Sequence, residues 1–140
     1  MTAVRRADVV DAPVSVRDVE ELVAGRTAGA VVTFSGDVRD HDDGRHVRHL
    51  EYEGHPTAAA VIAEVAREVA ERHDVLAIAV LHRVGLLQVG DAALVAAVAG
   101  VHRKEAFAAC ADLVDEVKHR LPVWKHQVFT DGSDEWVNCA

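Results

Sequence analysis

The chain has 140 residues, of which 50% are hydrophobic, and its 15 Lys and Arg residues against 23 Asp and Glu residues give a formal net charge of -8. A chain of this length predicts a single domain, spanning residues 1–140, around one hydrophobic core. The acidic balance argues against general nucleic-acid binding and against attachment to an anionic membrane surface, because both depend mainly on positive charge. A basic cluster on such a chain is local and marks a candidate site.

The sequence carries few signals of its compartment. The longest apolar run, Ala92 to Val101, is far too short to span a membrane. The start, M-T-A-V-R-R-A-D, lacks the apolar stretch of a signal peptide. The two cysteines, Cys110 and Cys139, form neither a metal-site pair nor a disulfide framework. Together these features predict a protein of the reducing cytoplasm.

The first elements are a strand and a helix. Val9 to Val14 is typical of a short edge strand, with Pro13 near its end. Ser15 opens the helix, because Asp18 three residues later resembles the partner of a capping box and apolar residues at helical spacing follow.

A pair of strands comes next. Ala30 to Arg39 is rich in residues that favour strands, and Gly36 within it predicts a bulge or a close backbone approach. The D-H-D-D-G stretch that ends at Gly44 predicts a turn or a mobile loop, after which His46 to Glu53 pairs back as the second strand.

The second half of the chain predicts two helices and four strands. Thr57 to His73 has helical spacing, whereas Val75 to Val84 and Ala92 to Ala99 are apolar on both faces, as buried strands are. A long helix follows Gly100, and the last two predicted strands form a closing hairpin. The order β-α-β-β-α-β-β-α-β-β predicts an α+β domain with a largely antiparallel sheet.

The stretch K-H-R-L-P-V-W-K-H-Q, from Lys118 to Gln127, is the strongest candidate for a site. Pro122 cannot continue the long helix, so Lys118 lies in its last turn and Lys125 on an extended segment beyond the break. Two ammonium groups on rigid elements near one break predict an anion pocket. The alternative is that these lysines only complement the dipole at the end of the helix.

The start of the same helix is a second candidate. His102 and Arg103 stand where free backbone N–H groups favour an anion, although they also suit an ordinary exposed helix start. They precede Lys118 by about 15 residues, which is more than ~20 Å along a straight helix. The two features are therefore either unrelated, or a second copy of the chain brings its helix start to the first copy's helix end.

Other reactive residues give weaker signals. Four histidines lie between positions 41 and 55, but their spacing matches no common zinc motif, so hydrogen bonding or exposure to solvent is favoured and no metal site is predicted. Cys110 shares the apolar face of the last helix and is interpreted as a core thiol rather than a nucleophile.

The chain resembles the MoaE family, the large catalytic subunits of molybdopterin synthase, over nearly its whole length. The resemblance is carried by six stretches in the same order: G-A-V-V-T-F-S-G-D-V-R-D-H, L-E-Y-E-G-H-P, L-H-R-V-G-L-L-Q-V-G-D, V-H-R-K-E-A-F, V-K-H-R-L-P-V-W-K-H-Q and E-W-V.

The resemblance implies a fold, a reaction and partners. The fold is an α/β hammerhead-type domain with an additional antiparallel sheet, and two chains form a homodimer. A small ubiquitin-like subunit at each end completes a heterotetramer, and its Gly-Gly C-terminus carries a thiocarboxylate. Two sulfur transfers to cyclic pyranopterin monophosphate make the dithiolene of molybdopterin, a step of molybdenum cofactor biosynthesis that uses no metal or other cofactor.

The resemblance also implies the site residues. It makes Lys118 the catalytic residue and Lys125 a second one, which binds or activates the substrate. The other substrate-binding positions that it implies are Asp37, Val38, Arg39, His102, Arg103, His126 and Gln127. Asp37 departs from the family pattern, because many relatives have a lysine there.

Two other functions fit part of the sequence. A non-catalytic α+β dimer that senses a small anionic ligand would explain the basic cluster without a sulfur donor. A thiol-dependent enzyme would use Cys110 or Cys139 as its nucleophile.

Overall fold

Two strands with apolar side chains on both faces form the centre of the computed structural model, which describes residues 3–138. β5 (Ala77–Arg83) and β7 (Ala92–Gly100) are buried almost throughout and pair antiparallel. β1 (Val4–Val10) runs parallel to β5 at one edge, and β2 (Ala30–Asp37) runs antiparallel to β7 at the other. The order of this four-stranded sheet is β1-β5-β7-β2.

Helices cover both faces of this sheet, which explains why its central strands are apolar on both sides. α1 (Val16–Val23) packs on one face. α2 (Ala58–Arg72) and α3 (Arg103–Arg120) pack on the other face, where they enclose the larger part of the core.

A second, antiparallel sheet follows the order β3-β4-β8-β9. β6 lies off this path and pairs with residues 49–52 of β4. The strands of this sheet are β3 (His41–Asp42), β4 (Arg45–Gly54), β6 (Gly85–Gln88), β8 (Val123–Phe129) and β9 (Asp134–Asn138). β8 starts three positions after the last residue of α3, so the chain passes from the last helix straight into the second sheet.

The predicted α+β class with its additional antiparallel sheet is confirmed, and so are several local predictions. The Ser15 side chain accepts a hydrogen bond from the Asp18 backbone N–H, and the Asp18 carboxylate accepts one from the Ser15 N–H, which completes the capping box. The pairing of β2 shifts register between Gly36 and Asp37, at the predicted bulge.

The strands differ from the predictions in three details. The first strand lies at an edge as expected but covers Val4–Val10, so Pro13 follows it instead of belonging to it. The stretch predicted as a turn or a mobile loop contains a tight two-residue turn, in which Asp43 (φ 50°) and Gly44 (φ 76°) are left-handed, but the short strand β3 before that turn was not predicted. β6 was not predicted, because its four residues are too few to show a period.

Within residues 3–138, no helix has the length and apolar character needed to cross a membrane.

The close approach of Gly29 to the start of the last helix gives a test of the packing. A β-carbon on Gly29 would lie 2.2 Å from the Val101 carbonyl oxygen, whereas one on Gly25 would meet nothing within 4 Å. We expect Gly29→Ala to lower the free energy of unfolding by about 1–3 kcal/mol. The matched control Gly25→Ala should leave it unchanged or slightly raised. Urea unfolding measures both, and equal midpoints for the two variants would contradict this packing.

Candidate active site

A cavity of about 240 Å³ opens where the four-stranded sheet, the end of α3 and the second sheet meet. Its charged and polar lining includes Lys118 from α3, Lys125 and Gln127 from β8, and Arg39 from the segment after β2. Asp37 and Val38 also line it, so six of the nine site residues implied by the sequence lie around one cavity.

The chain reversal after α3 brings the two lysines together. The helix ends at Arg120, Leu121 is extended, and β8 starts at Val123. Lys118 therefore occupies the last helical turn, while Lys125 lies on β8 opposite Tyr52 of β4. Both side chains line the cavity although seven residues separate them in the sequence.

Strand alternation separates His126 from its two neighbours. Successive side chains on a strand point to opposite faces. Lys125 and Gln127 line the cavity, whereas the His126 ring stacks on Trp136 with 4.4 Å between ring centroids. The His126 Nε2 lies 2.7 Å from a carboxylate oxygen of Asp134. The implied place of His126 in the pocket is therefore corrected for the single chain: it lies on the other face of the sheet.

The segment after β2 is held against the cavity by backbone hydrogen bonds. The Val38 N–H donates to the Asp91 carbonyl at 2.9 Å, and the Val38 carbonyl accepts from the Gly90 N–H at 2.8 Å. Val38 is buried, whereas the exposed Arg39 guanidinium lies 3.5 Å from the Asp42 carboxylate. Arg39 is thus free to exchange that loose pair for an anion in the cavity.

Gln127 organises the acidic side of the cavity. Its buried side-chain amide donates to Asp42 Oδ2 at 2.8 Å and to Glu135 Oε1 at 2.9 Å. The hydrogen bond from Gln127 lowers the pKa of Asp42 below its ordinary value, and the charges of Lys125 and Arg39 act in the same direction. Asp42 is therefore a carboxylate at neutral pH, and it balances part of the positive charge of the lining.

The start of α3 does not reach this cavity. His102 is the N-cap residue and Arg103 the first residue of the helix, and both are exposed. Arg103 precedes Lys118 by 15 positions of one helix, which is roughly 22 Å at the usual rise per residue. In a single chain, these two residues and the lysines belong to separate regions.

The sequence analysis missed His82, the last but one residue of β5. His82 is only 1% exposed and lines the cavity, and its ring meets the Tyr52 ring edge-on at 4.9 Å between centroids. Burial, together with the nearby positive charge of Lys118, lowers the pKa of His82 to about 4. The sequence did contain a signal for this residue, namely a histidine near the end of a strand that is buried on both faces.

No metal-binding group stands out in the described part of the chain. Within residues 3–138, no three His, Cys, Asp or Glu side chains are arranged to hold a metal ion. Two of the four histidines between positions 41 and 55 have local partners: His41 Nδ1 lies 2.8 Å from Asp40 Oδ1, and His55 Nδ1 lies 2.8 Å from Thr57 Oγ1.

The buried imidazole predicts a pH dependence of stability. Burial holds the folded pKa of His82 at about 4, below its ordinary value of 6.5, so the unfolded chain takes up a proton first as the pH falls. The resulting stabilisation is complete above pH 6.5 and is lost as the pH falls through 4. It amounts to about 3 kcal/mol at most.

We therefore expect the wild-type free energy of unfolding to fall more steeply over this interval than that of His82→Gln. Urea unfolding at a series of pH values measures the slopes. His119→Gln, which changes an exposed histidine of α3, is the matched control and should follow the wild type. A His82→Gln slope equal to that of the wild type would show that His82 protonates freely in the folded protein.

Comparison with known proteins identifies the family. The model of the MoaE protein family matches residues 9–120. The molybdopterin synthase catalytic subunit of Bacillus subtilis is 34% identical over 133 residues, which are 94% of this chain and 84% of that protein. A chain in the crystal structure of molybdopterin synthase from Staphylococcus aureus has a TM-score of 0.86 and 30% identity, over 94% of this chain and 96% of that chain.

A more distant structure shares the fold alone. It comes from the protein–protein complex of subunits 1 and 2 of molybdopterin-converting factor of Helicobacter pylori, with a TM-score of 0.72 and 16% identity over 98% of this chain and 90% of that chain. The family model covers most of the sequence, and the B. subtilis relative aligns over most of both proteins. This chain belongs to the MoaE family.

Proposed function

We propose that this chain is the catalytic subunit of a molybdopterin synthase, a sulfurtransferase of molybdenum cofactor biosynthesis. It transfers sulfur from the C-terminal thiocarboxylate of a small ubiquitin-like subunit to cyclic pyranopterin monophosphate and forms the dithiolene of molybdopterin. The observation that carries this proposal is the convergence of Lys118, Lys125 and Arg39 on one cavity in a member of the MoaE family.

The charges of the cavity suit this reaction. Attack of the thiocarboxylate on the pterin side chain develops negative charge, and the cyclic phosphate must open. Cations fixed on rigid elements stabilise such charge without reorganisation, and here Lys118 stands on a helix and Lys125 on a strand. The Arg39 guanidinium offers a planar fork for phosphate oxygens. A lysine of the cavity can also serve as an acid or base during the transfer.

The size of the cavity suits the proposed partner. A cavity of about 240 Å³ admits an extended chain end but no folded domain. A Gly-Gly C-terminus fits a narrow channel because glycine has no side chain. The H. pylori structure of similar fold, described as a complex of two subunits, supports a two-protein enzyme. We place the reaction in the cytoplasm, because a chain without a disulfide framework is typical of a reducing compartment.

The two rival functions explain less. A sensor of anions would account for the cations but not for the family to which the chain belongs. A thiol enzyme needs a reactive cysteine, whereas burial raises the pKa of the Cys110 thiol, which is 5% exposed and does not line the cavity. Cys139 lies outside the described residues.

We further propose that the complete site is shared between two copies of the chain. Apolar side chains are exposed beside the start of α3 and on β2, among them Phe107 (60% exposed) and Val101 (52% exposed). Exposed apolar patches of this kind mark protein interfaces. A homodimer through this face supplies the partner's helix start, so that His102 and Arg103 of one copy bind the anionic part of the substrate held by Lys118 of the other.

Removal of the first ammonium group tests the catalytic assignment. We expect Lys118→Ala to reduce molybdopterin formation by about 100-fold or more, because a charge placed for the transition state is lost. The fold should remain, since Lys118 is exposed at a helix end. The assay mixes the protein with a thiocarboxylated small subunit and cyclic pyranopterin monophosphate.

Arg17→Ala is the matched control for this variant. It also removes one positive charge, but from the exposed surface of α1, and should keep wild-type turnover. Wild-type rates in Lys118→Ala would refute the role of this residue.

Subunit mixing tests the shared site. Lys118→Ala and Arg103→Ala homodimers should each be nearly inactive. After subunit exchange, half of the dimers carry one chain of each kind, and one of their two sites is then intact, so about a quarter of wild-type activity should return.

The control mixes Lys118→Ala with Lys125→Ala, whose substitutions affect the same cavity of a chain. No mixed dimer then contains a complete site, and activity should not return. Equal recovery in both mixtures, or none in either, would exclude a site shared in this way.

A further inference from the structure

His82 is a buried polar residue that lines the same cavity as the proposed catalytic lysine, and the proposed reaction gives it no role. It follows Ile78 and Val80 on the face of β5 that α2 and α3 cover, and it ends that apolar row with an imidazole. Its side chain and that of Lys118 line the same cavity. A buried nitrogen base at this position requires an explanation, because burial of a polar group costs free energy unless a partner is present.

The hydrogen bond of the ring defines its tautomer. His82 Nδ1 lies 2.8 Å from the Arg83 carbonyl oxygen, which only accepts. Nδ1 must therefore carry the proton and donate. In a neutral imidazole the other nitrogen, Nε2, then has a free lone pair and acts as an acceptor. With Nδ1 turned to the backbone, Nε2 is the nitrogen left for the cavity.

Lys118 is the natural donor for this acceptor. Among the residues that the structure describes, Lys118 forms no ion pair, whereas Arg39 is paired with Asp42 and Lys125 lies within the electrostatic range of the same carboxylate. The positive charge of Lys118 also reaches His82.

We propose that His82 is a positioning residue for Lys118: the two side chains line one cavity without a hydrogen bond between them in this structure, and Nε2 accepts one from the ammonium group when the lysine turns into the cavity, which directs that cation without neutralising it. This inference rests on the proposed function of Lys118 and adds a residue to it. A carboxylate in the same place would orient the ammonium group equally well but would cancel the charge that the substrate needs. A neutral acceptor provides direction alone.

The shielded environment maintains this neutral state. Burial and the charge of Lys118 both oppose protonation of the imidazole, and its pKa of about 4 keeps it neutral under physiological conditions. The edge-on contact with Tyr52 restricts the ring, so the lone pair keeps its direction.

Two substitutions separate positioning from simple filling of the core. His82→Gln keeps a side-chain acceptor, whereas His82→Leu fills similar space without one. We expect His82→Leu to lower kcat by about tenfold to a hundredfold with a smaller effect on KM, because a misplaced catalytic group affects the chemical step. His82→Gln should stay close to the wild type. Equal losses in the two variants, or losses that follow their stability, would overturn the proposal.

A second experiment needs no substrate and no partner. An amine-acylating reagent is applied to the wild-type protein and both variants, and mass spectrometry follows the modification of each lysine. Loss of the acceptor leaves the Lys118 ammonium less stabilised, so Lys118 should react several-fold faster in His82→Leu than in the wild type or His82→Gln. Lys104, exposed in the first turn of α3, is the internal control and should react at one rate in all three proteins. An unchanged Lys118 rate in His82→Leu would overturn the proposal.

The tautomer is open to direct measurement. Nitrogen-15 NMR of the wild-type protein at neutral pH should show a histidine with a protonated Nδ1 and a bare Nε2 whose signals are absent from the spectrum of His82→Gln. A protonated Nε2 would overturn the proposal. If the wild-type protein makes no molybdopterin, the proposed function fails, whereas the labelling and NMR experiments still decide the role of His82.

Discussion

The break between α3 and β8 is the constraint on which the site depends. Proline has no N–H to donate and cannot continue the helix, so the chain must turn at Pro122. The Pro122 carbonyl accepts a hydrogen bond from the His55 N–H at 2.9 Å, which ties the turn to the end of β4. Lys118 before the break and Lys125 after it are therefore held by two regular elements in a fixed relation, without a flexible loop between them.

The cavity is basic only in part, and this matters for selectivity. Lys118, Lys125 and Arg39 face Asp37 and Asp42 across the same space. The carboxylates reduce the cost of bringing three cations together, and Asp42 is itself kept ionised by Gln127. On a chain with a net charge of -8, anions are repelled elsewhere and attracted here. A ligand with separate anionic groups suits this pattern better than a single compact anion.

Local sequence patterns predicted the features that depend on residues adjacent in the chain. They did not predict the features that depend on contacts between distant segments. The capping box at Ser15 and the break at Pro122 follow from adjacent residues, and both could be predicted. Alternation along β8 was available to separate His126 from Lys125, but the resemblance grouped them together. His82 could not be assigned to the site, because its place in the cavity depends on how β5, Tyr52 of β4 and Lys118 of α3 meet in three dimensions, which no local pattern contains.

The length of α3 decides how a complete site is built. A helix of 18 residues keeps its two ends apart, so Arg103 at its start and Lys118 near its end serve the same substrate only if two copies of the chain combine. Each helix then contributes to two sites, with its start in one and its end in the other. In the proposed dimer, α3 is therefore the one element that both sites have in common.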